Sequence, residues 1–271
     1  MPELPEVETT RRGIAPHLVG RRIERVVVRN PALRWPIPPQ LPQLLRGRKI
    51  LAIDRRAKYL LFDLGNGTLI IHLGMSGSLR LTPAETPAKK HDHFMLVLNS
   101  QMTLRLHDPR RFGAVLWHRG DVGRHPLLAS LGPEPLDEAF DAAYLHASCL
   151  DRKTPIKQHI MNNKVVVGIG NIYANEALFL AGIHPRRAAG RIARPRIARL
   201  CDSIKTVLQS AIEQGGTTLR DFVHADGEPG YFSLRLHVYG KTGEPCYACG
   251  SPIRQIVIGQ RSTFYCWRCQ R

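Results

Sequence analysis

The sequence predicts an α+β chain built in parts: a short N-terminal helix on an antiparallel β-sandwich or barrel, a helical middle segment, and a small C-terminal tail organised by four cysteines. Three observations carry this. Between Arg22 and His118, short runs rich in Val, Ile, Leu and Thr follow one another at close spacing. Beyond Leu136, apolar residues recur at helical spacing instead. The last 26 residues hold four of the six cysteines.

Glu3 to Leu18 opens polar and acidic, with Pro2 and Pro5 near its start and Val7, Ile14 and Leu18 as spaced apolar positions. A proline in a first helical turn loses no hydrogen bond, so a helix is expected here. The strand-like runs are Ile23–Arg29, Lys49–Ile53, Tyr59–Leu64, Thr68–His72, Phe94–Leu98, Met102–His107 and Ala114–Trp117. Gly65-Asn66-Gly67 and Asn99-Ser100 sit between such runs and read as hairpin turns. Leu131-Gly132-Pro133-Glu134-Pro135-Leu136 breaks both periodicities and reads as a linker. A helix is expected over Asn171–Ala181, after Gly168-Ile169-Gly170. Another carries Ile197, Leu200, Cys201, Ile204, Val207, Leu208, Ala211 and Ile212 until Gly215-Gly216 stops it. Thr217–Tyr231 then reads as a polar, glycine-containing loop, a kind of segment that often carries function.

The chain of 271 residues is long enough to bury a real core, so global disorder is not expected. Lys and Arg number 39 against 22 Asp and Glu, a formal net charge of +17. Such an excess favours a polyanionic partner, either nucleic acid or an anionic membrane surface. No run of 18 apolar residues occurs, and MPELPEVETTRRG lacks the basic and apolar stretches of a signal peptide. A cytosolic protein is therefore expected.

Cys246-x2-Cys249 and Cys266-x2-Cys269, separated by 16 residues, match the spacing of a four-thiolate zinc site. Two knuckles around an alternating stretch, Pro252–Tyr265, read as a zinc ribbon or hairpin finger. Four protein ligands leave no open position, so one structural ion is expected. Arg254, Arg261, Arg268 and Arg271 decorate this tail as candidate phosphate contacts. Val167-Gly168-Ile169-Gly170-Asn171 precedes a helix whose amides and dipole could receive a phosphate, although the same pattern serves ordinary turn geometry. Taken with helix-turn-helix spacing from Asp151 to Leu200, it becomes a candidate contact to a DNA backbone. At the other end, removal of Met1 before the small Pro2 would expose a secondary amine with a pKa of about 7.7 to 8.0. An amine of that basicity attacks electrophilic carbon, with Glu3 and Glu6 beside it as acid and base. Pro and Glu are equally ordinary choices at a helix start.

PELPEVET, DPRRFG, VVVGIGNIYANE, QGGTTLRDF and the four-cysteine tail occur together and in order. With them the chain resembles, over its whole length, the bacterial formamidopyrimidine-DNA glycosylases. The resemblance implies a catalytic helix-plus-β-sandwich domain over 1–131, a helix-two-turn-helix DNA-binding domain over 132–236 and a zinc finger over 237–271. It implies an enzyme that flips oxidised purines out of duplex DNA, excises them and nicks the abasic site, and a monomer at the nucleoid in the cytoplasm is the default expectation.

By that resemblance Pro2 is the nucleophile at C1′, Glu3 the proton donor that helps open the sugar, Lys58 the β-elimination lysine and Arg261 the δ-elimination arginine. Met75, Arg110 and Phe112 fill the gap left by the flipped nucleotide: a flexible filler, a donor for the stranded base and an unstacking wedge. Composition alone would bury Met75 and Phe112 in a core. His72, His91, Arg152 and Asn171 are implied as backbone contacts. Glu6, with Thr217, Thr218 and Tyr231 of the loop, is implied as lining the base pocket.

The chain departs from the family's IKPxLMDN pattern, reading Ile156-Lys157-Gln158-His159-Ile160-Met161-Asn162-Asn163. Asn162 keeps an acceptor where the family has a charge. Two further readings compete. An endonuclease VIII-type enzyme for oxidised pyrimidines is disfavoured by the full Met75, Arg110 and Phe112 set and the long loop. A zinc-finger DNA-binding protein that has lost its chemistry would fail to trap damaged DNA covalently.

Overall fold

The structure, a computed structural model, describes residues 2–215 and 236–271. It divides into two compact units. The first runs to Ala129 and takes in Ile212–Gly215 at a helix end; the second holds Ser130–Ala211 and the described C-terminal stretch to Arg271.

The first unit opens with helix α1 (Leu4–Leu18). Glu3 is its N-cap and Glu6 its third residue, and the pair forms a reciprocal capping box, with Glu6 Oε2 accepting the Glu3 N–H at 2.8 Å. Val7, Ile14 and Leu18 are fully buried, the spacing the sequence predicts. Eight strands follow: β1 (Ile23–Val28), β2 (Ala52–Arg56), β3 (Tyr59–Asp63), β4 (Thr68–His72), β5 (Ser78–Pro83), β6 (Asp92–Leu98), β7 (Met102–His107) and β8 (Ala114–His118), with the short helix α2 (Leu41–Leu45) between β1 and β2. They form two antiparallel four-stranded sheets, ordered β1-β6-β7-β5 and β2-β3-β4-β8. Leu60, Phe62, Leu69, Ile71 and Val115 of one sheet and Leu79, Leu81, Phe94, Leu96 and Leu104 of the other join one core, so the sandwich is observed. Leu61 and Ile70, which alternation turns to the opposite face, are buried as well.

The glycine turn forms as expected. Leu64 N–H donates to the Gly67 carbonyl at 3.0 Å, and a Cβ on Gly67 would lie 2.5 Å from the Trp117 ring. Strand β5 was not legible, because its stretch ends at Pro83 and carries Arg80; at a sheet edge a proline costs no ladder bond. β2 runs to Arg56 rather than stopping at Ile53, and β6 starts at Asp92 rather than Phe94. In both cases charged residues hide a strand because they are paired. Asp92 is fully buried and accepts from Arg80 Nη2 at 2.7 Å, the His107 ring at 2.9 Å and Lys89 N–H at 2.9 Å, with Arg105 at 3.5 Å.

The second unit contains α3 (Ala142–Cys149), α4 (Ile156–Ile160), α5 (Asn171–Leu180), α6 (Arg194–Gly215) as far as Ala211, and a hairpin of β9 (Arg254–Ile258) and β10 (Arg261–Tyr265). The helices share a core that includes Ile156, Ile160, Tyr173, Leu178, Ile197, Leu200, Ile204 and Leu208. α5 begins at Asn171 and the hairpin lies between the cysteine pairs, both as the sequence predicts. Residues 131–136 hold no regular element and are pinned to the segment before α5: Gly132 N–H donates to Asn163 O at 2.8 Å, and Val167 N–H to Pro133 O at 3.2 Å.

One carboxylate joins α1 to β2. Glu8 is 7% exposed and takes Arg11 Nη2 and Arg12 Nε at 2.8 Å on one oxygen, and Arg11 Nε at 3.0 Å and Arg55 Nε at 3.1 Å on the other. Burial pushes its carboxyl up, but the hydrogen bonds from Arg11 and Arg12 and the charges of Arg11 and Arg55 outweigh it and hold the pKa at about 2, against an ordinary 4.5. A depressed carboxylate contributes stability that is complete above its unfolded pKa and lost as pH falls through the folded one. Glu8→Gln is expected to cost on the order of 2 kcal/mol at neutral pH. Urea denaturation should show the difference from wild type shrinking between pH 4.5 and pH 2; parallel stability curves over that window would contradict the assignment.

Candidate functional site

The sequence-predicted residues fall into a group on each unit. On the first, Pro2 is half-buried directly before the α1 cap, and Glu3 is 2% exposed. Lys58 lies in the two-residue turn joining β2 to β3, where Ala57 adopts a left-handed φ of 53°. Arg55 links these places: its Nε holds Glu8, and its Nη1 donates to the Ala57 carbonyl at 3.0 Å. Arg11 adds a bond to the Ile53 carbonyl at 3.3 Å. The first turns of α1 and the Lys58 turn are thus linked through the buried Glu8 carboxylate and Arg55, with Arg11 adding a bond to β2.

His72 closes β4 opposite Tyr59, their ring centroids 4.8 Å apart. Its Nδ1 accepts the Gly74 N–H at 3.0 Å, which leaves the proton on Nε2. Burial, then the Lys58 and Arg34 charges, push its pKa down to about 4. At neutral pH His72 is an uncharged donor beside Lys58. It can hydrogen-bond a phosphate or sugar oxygen but adds no charge.

Met75, Arg110 and Phe112 stand on two adjoining loops, and the first and last are each 41% exposed despite being large and apolar. The Arg110 guanidinium lies 4.9 Å from the Phe112 ring centroid. Asp108, fully buried, fastens the loops together. Its Oδ1 accepts Ser76 Oγ at 2.8 Å and its Oδ2 the Gly113 N–H at 2.8 Å, while Ser76 Oγ also takes the Arg110 N–H at 3.2 Å. A Cβ on Gly74, which has φ +67°, would meet the Phe112 carbonyl carbon at 2.4 Å, so the backbones touch where only glycine fits. His91 adjoins this assembly, its carbonyl accepting the Asp108 N–H at 3.0 Å and its ring stacking edge-on with His93 and His107.

On the second unit, Arg261 is exposed at the start of β10, after the left-handed Gly259-Gln260 turn. Asn171 opens α5, and its Nδ2 donates to the Ser262 carbonyl at 3.0 Å. Lys157, 1% exposed, places Nζ 3.0 Å from the same carbonyl and 2.7 Å from Thr263 Oγ1. Asn175, also 1% exposed, accepts the Phe264 N–H at 2.9 Å. Glu176 accepts the N–H groups of His237, Val238 and Tyr239 at 2.7 to 3.0 Å, securing the chain where it enters the tail. Arg152 is exposed, with its carbonyl accepting the Gly190 N–H at 2.9 Å. Of the two departures, Asn162 uses its acceptor on the Lys164 N–H at 3.0 Å, and Gln158 lies against Gly259, where an added Cβ would approach its Nε2 to 2.4 Å. Thr217, Thr218 and Tyr231 lie outside the described residues.

Sequence reasoning did not single out Glu8, Ser76, Asp108, Lys157, Asn175 or Glu176. Glu8 had a signal, with Arg11 and Arg12 three and four residues on. Asn175 had a weaker one, an amide inside an otherwise apolar helix.

Three family models match the chain: the formamidopyrimidine-DNA glycosylase N-terminal domain over residues 1–115, the formamidopyrimidine-DNA glycosylase H2TH domain over 131–223, and a zinc finger found in FPG and IleRS over 243–271. The chain is 61% identical to a formamidopyrimidine-DNA glycosylase of Thioalkalivibrio sulfidiphilus, over 271 residues and all of both chains. Among solved structures it is similar to the MutM (Fpg) protein of Thermus thermophilus, with TM-score 0.86 and 42% identity over 99% of this chain and 98% of that one. It is also similar to wild-type Lactococcus lactis Fpg in complex with a DNA containing N7-benzyl-Fapy-dG, with TM-score 0.91 and 36% identity over 100% of both chains.

Cys246, Cys249, Cys266 and Cys269 bring their sulfurs within 4.8 Å of one another, with pairs at 3.9 Å and 3.5 Å and no disulfide. Zinc–thiolate bonds of about 2.3 Å in a tetrahedron set sulfurs roughly 3.8 Å apart, so the four residues fit one structural zinc. The ion would join the two knuckles, while a small core of Val238, Ile253 and Phe264 packs beside them. Elemental analysis of purified protein should return one zinc per chain. Release by a thiol-directed mercurial should melt the tail while the sandwich stays folded; a zinc-free protein with an unchanged tail would contradict this.

Proposed function

The chain belongs to the formamidopyrimidine-DNA glycosylase family, and on that premise we propose that it is a bifunctional DNA glycosylase and abasic-site lyase for oxidised purines in duplex DNA. Residues 1–131 form its catalytic domain, 132–236 its helix-two-turn-helix DNA-binding domain and 237–271 its zinc finger. It works as a monomer on nucleoid DNA in the cytoplasm. Among the described residues no helix is long and apolar enough to cross a membrane, and the net charge of +17 suits a phosphate polymer.

In this reading the lesion is flipped out of the stack. Met75 and Phe112 fill the vacated space, and Arg110 offers donors to the stranded partner base. With Met1 removed, the Pro2 nitrogen attacks C1′, the bond from C1′ to the base breaks, the electron pair leaves with the base, and the base takes up the proton that the Pro2 nitrogen sheds. Glu3 supplies a proton to the sugar ring oxygen, and the opened sugar stays on Pro2 as an iminium. Loss of a C2′ proton expels the 3′ phosphate, with Lys58 serving this β-elimination. A second elimination expels the 5′ phosphate, with Arg261 steadying the departing anion. His72, His91, Arg152 and Asn171 grip the backbone. Glu6 lines the base pocket together with Thr217, Thr218 and Tyr231.

The observation that supports this reading most is on the first unit: Glu8 and Arg55 tie the start of α1 to the Lys58 turn, and the same unit displays Met75, Arg110 and Phe112 on loops fastened by Asp108. Glycosylase and lyase assays on duplexes carrying 8-oxoguanine opposite cytosine, a formamidopyrimidine or an oxidised pyrimidine test it. Oxidised purines should be excised at least about tenfold faster than the pyrimidine, a transition-state difference of about 1.4 kcal/mol, and leave phosphates on both sides of the gap. Preference for the pyrimidine would favour the endonuclease VIII-type reading; tight binding without cleavage would favour a binding module.

A further inference from the structure

The zinc hairpin has two strands, so β10 has one edge paired with β9 and one edge open. On the open edge, alternation presents the backbone groups of Ser262 and Phe264. Among the described residues no third strand satisfies them. Polar side chains from α4 and α5 do so instead: Lys157 and Asn171 on the Ser262 carbonyl, and Asn175 on the Phe264 N–H. Asn175 also donates through Nδ2 to the Asn171 carbonyl at 2.6 Å. A single buried amide therefore grips both the first turn of α5, which carries Asn171, and the strand that begins with Arg261.

An asparagine is a poor choice inside a helix, and burying its amide is costly unless every polar atom is matched. Here both of its polar atoms are matched, one within the helix and one across to β10. Leu or Ala would serve the helix and its core better, so the residue's contribution lies in the link.

We propose that Asn175 is a positioning residue for Arg261, holding the open edge of β10 on α5 so that the guanidinium three residues before Phe264 stands in a fixed place. This rests on the reading in which Arg261 serves the δ-elimination. The β-elimination is assigned to Lys58 of the other unit, so displacing β10 should divide the two steps, whereas general destabilisation would lower both.

The test uses zinc-loaded, full-length protein on a duplex with one abasic site, and measures the ratio of β to β,δ products in single turnover beside borohydride trapping. Asn175→Asp keeps an acceptor for the Phe264 N–H but sets an oxygen against the Asn171 carbonyl; Asn175→Leu removes both bonds. Each should raise the β to β,δ ratio by about fivefold or more, roughly one hydrogen bond's worth of rate, with Leu the stronger. Trapping and zinc content should stay within about twofold of wild type. Asn175→Asp guards against a leucine variant that fails to fold. An unchanged ratio in folded variants, or equal loss of trapping and δ product, overturns the positioning role. If Arg261→Gln leaves the ratio unchanged, the assignment of Arg261 falls, and that result is separate from a failure at Asn175.

Discussion

Glu8 is the constraint on which the sandwich unit's chemistry depends. A carboxylate buried at the seam between a helix and a strand is tolerable only if its charge is answered, and here three arginines answer it. Two of them lie on α1 itself, and of these Arg11 also reaches across to the Ile53 carbonyl of β2. Arg55 ties the seam from the other side, because it comes from β2 and also holds the carbonyl of Ala57. The distance between the start of α1 and the Lys58 turn is thereby set by side chains that have no part in the proposed bond making. Burying the ion pair has its own cost, and a well-packed apolar seam would serve stability as well. What the charged version adds is direction, since the carboxylate is held on both oxygens, by the Arg11 fork of its own helix and on Oε2 by Arg55 of β2.

The same device recurs at Asp108 and at the hairpin edge. Asp108 joins two loops by accepting from a side chain of one and a backbone N–H of the other, and Gly74 lets the two backbones meet. Lys157, Asn171 and Asn175 take the place of a missing third strand on β10. In each case a side chain that must reach outward, whether Lys58, Phe112 or Arg261, stands one to three positions from a polar group held in such a network. Side chains at the surface have little packing to orient them, so a satisfied network beneath them is what makes their placement reproducible.

Much of this was legible in the sequence, and the failures share a cause. Strands that alternate cleanly, the helix after Gly168-Ile169-Gly170 and the hairpin between the cysteine pairs needed only local pattern. The ends of β2 and β6 were missed because Arg55, Arg56 and Asp92 read as solvent-facing, whereas Asp92 is fully buried and Arg55 is turned to Glu8. Pairing across 12 to 47 residues leaves no trace in a local window. Met75 and Phe112 fail in the opposite sense, since their composition says core and their position is surface. Only the family resemblance placed them there. Asn175 was passed over because an isolated amide in a helix looks like a weak helix former until the strand it holds is seen.

Borohydride reduction of the protein on a duplex containing 8-oxoguanine, followed by peptide mapping of the cross-linked chain, tests the central claim most directly. The account predicts one adduct per chain, on the N-terminal peptide at Pro2 with Met1 absent, and its loss when Met1 is retained or the N-terminus is acetylated so that the Pro2 nitrogen or the terminal amine is an amide. An adduct mapped to Lys58 or another lysine, or undiminished trapping by the blocked protein, would contradict it.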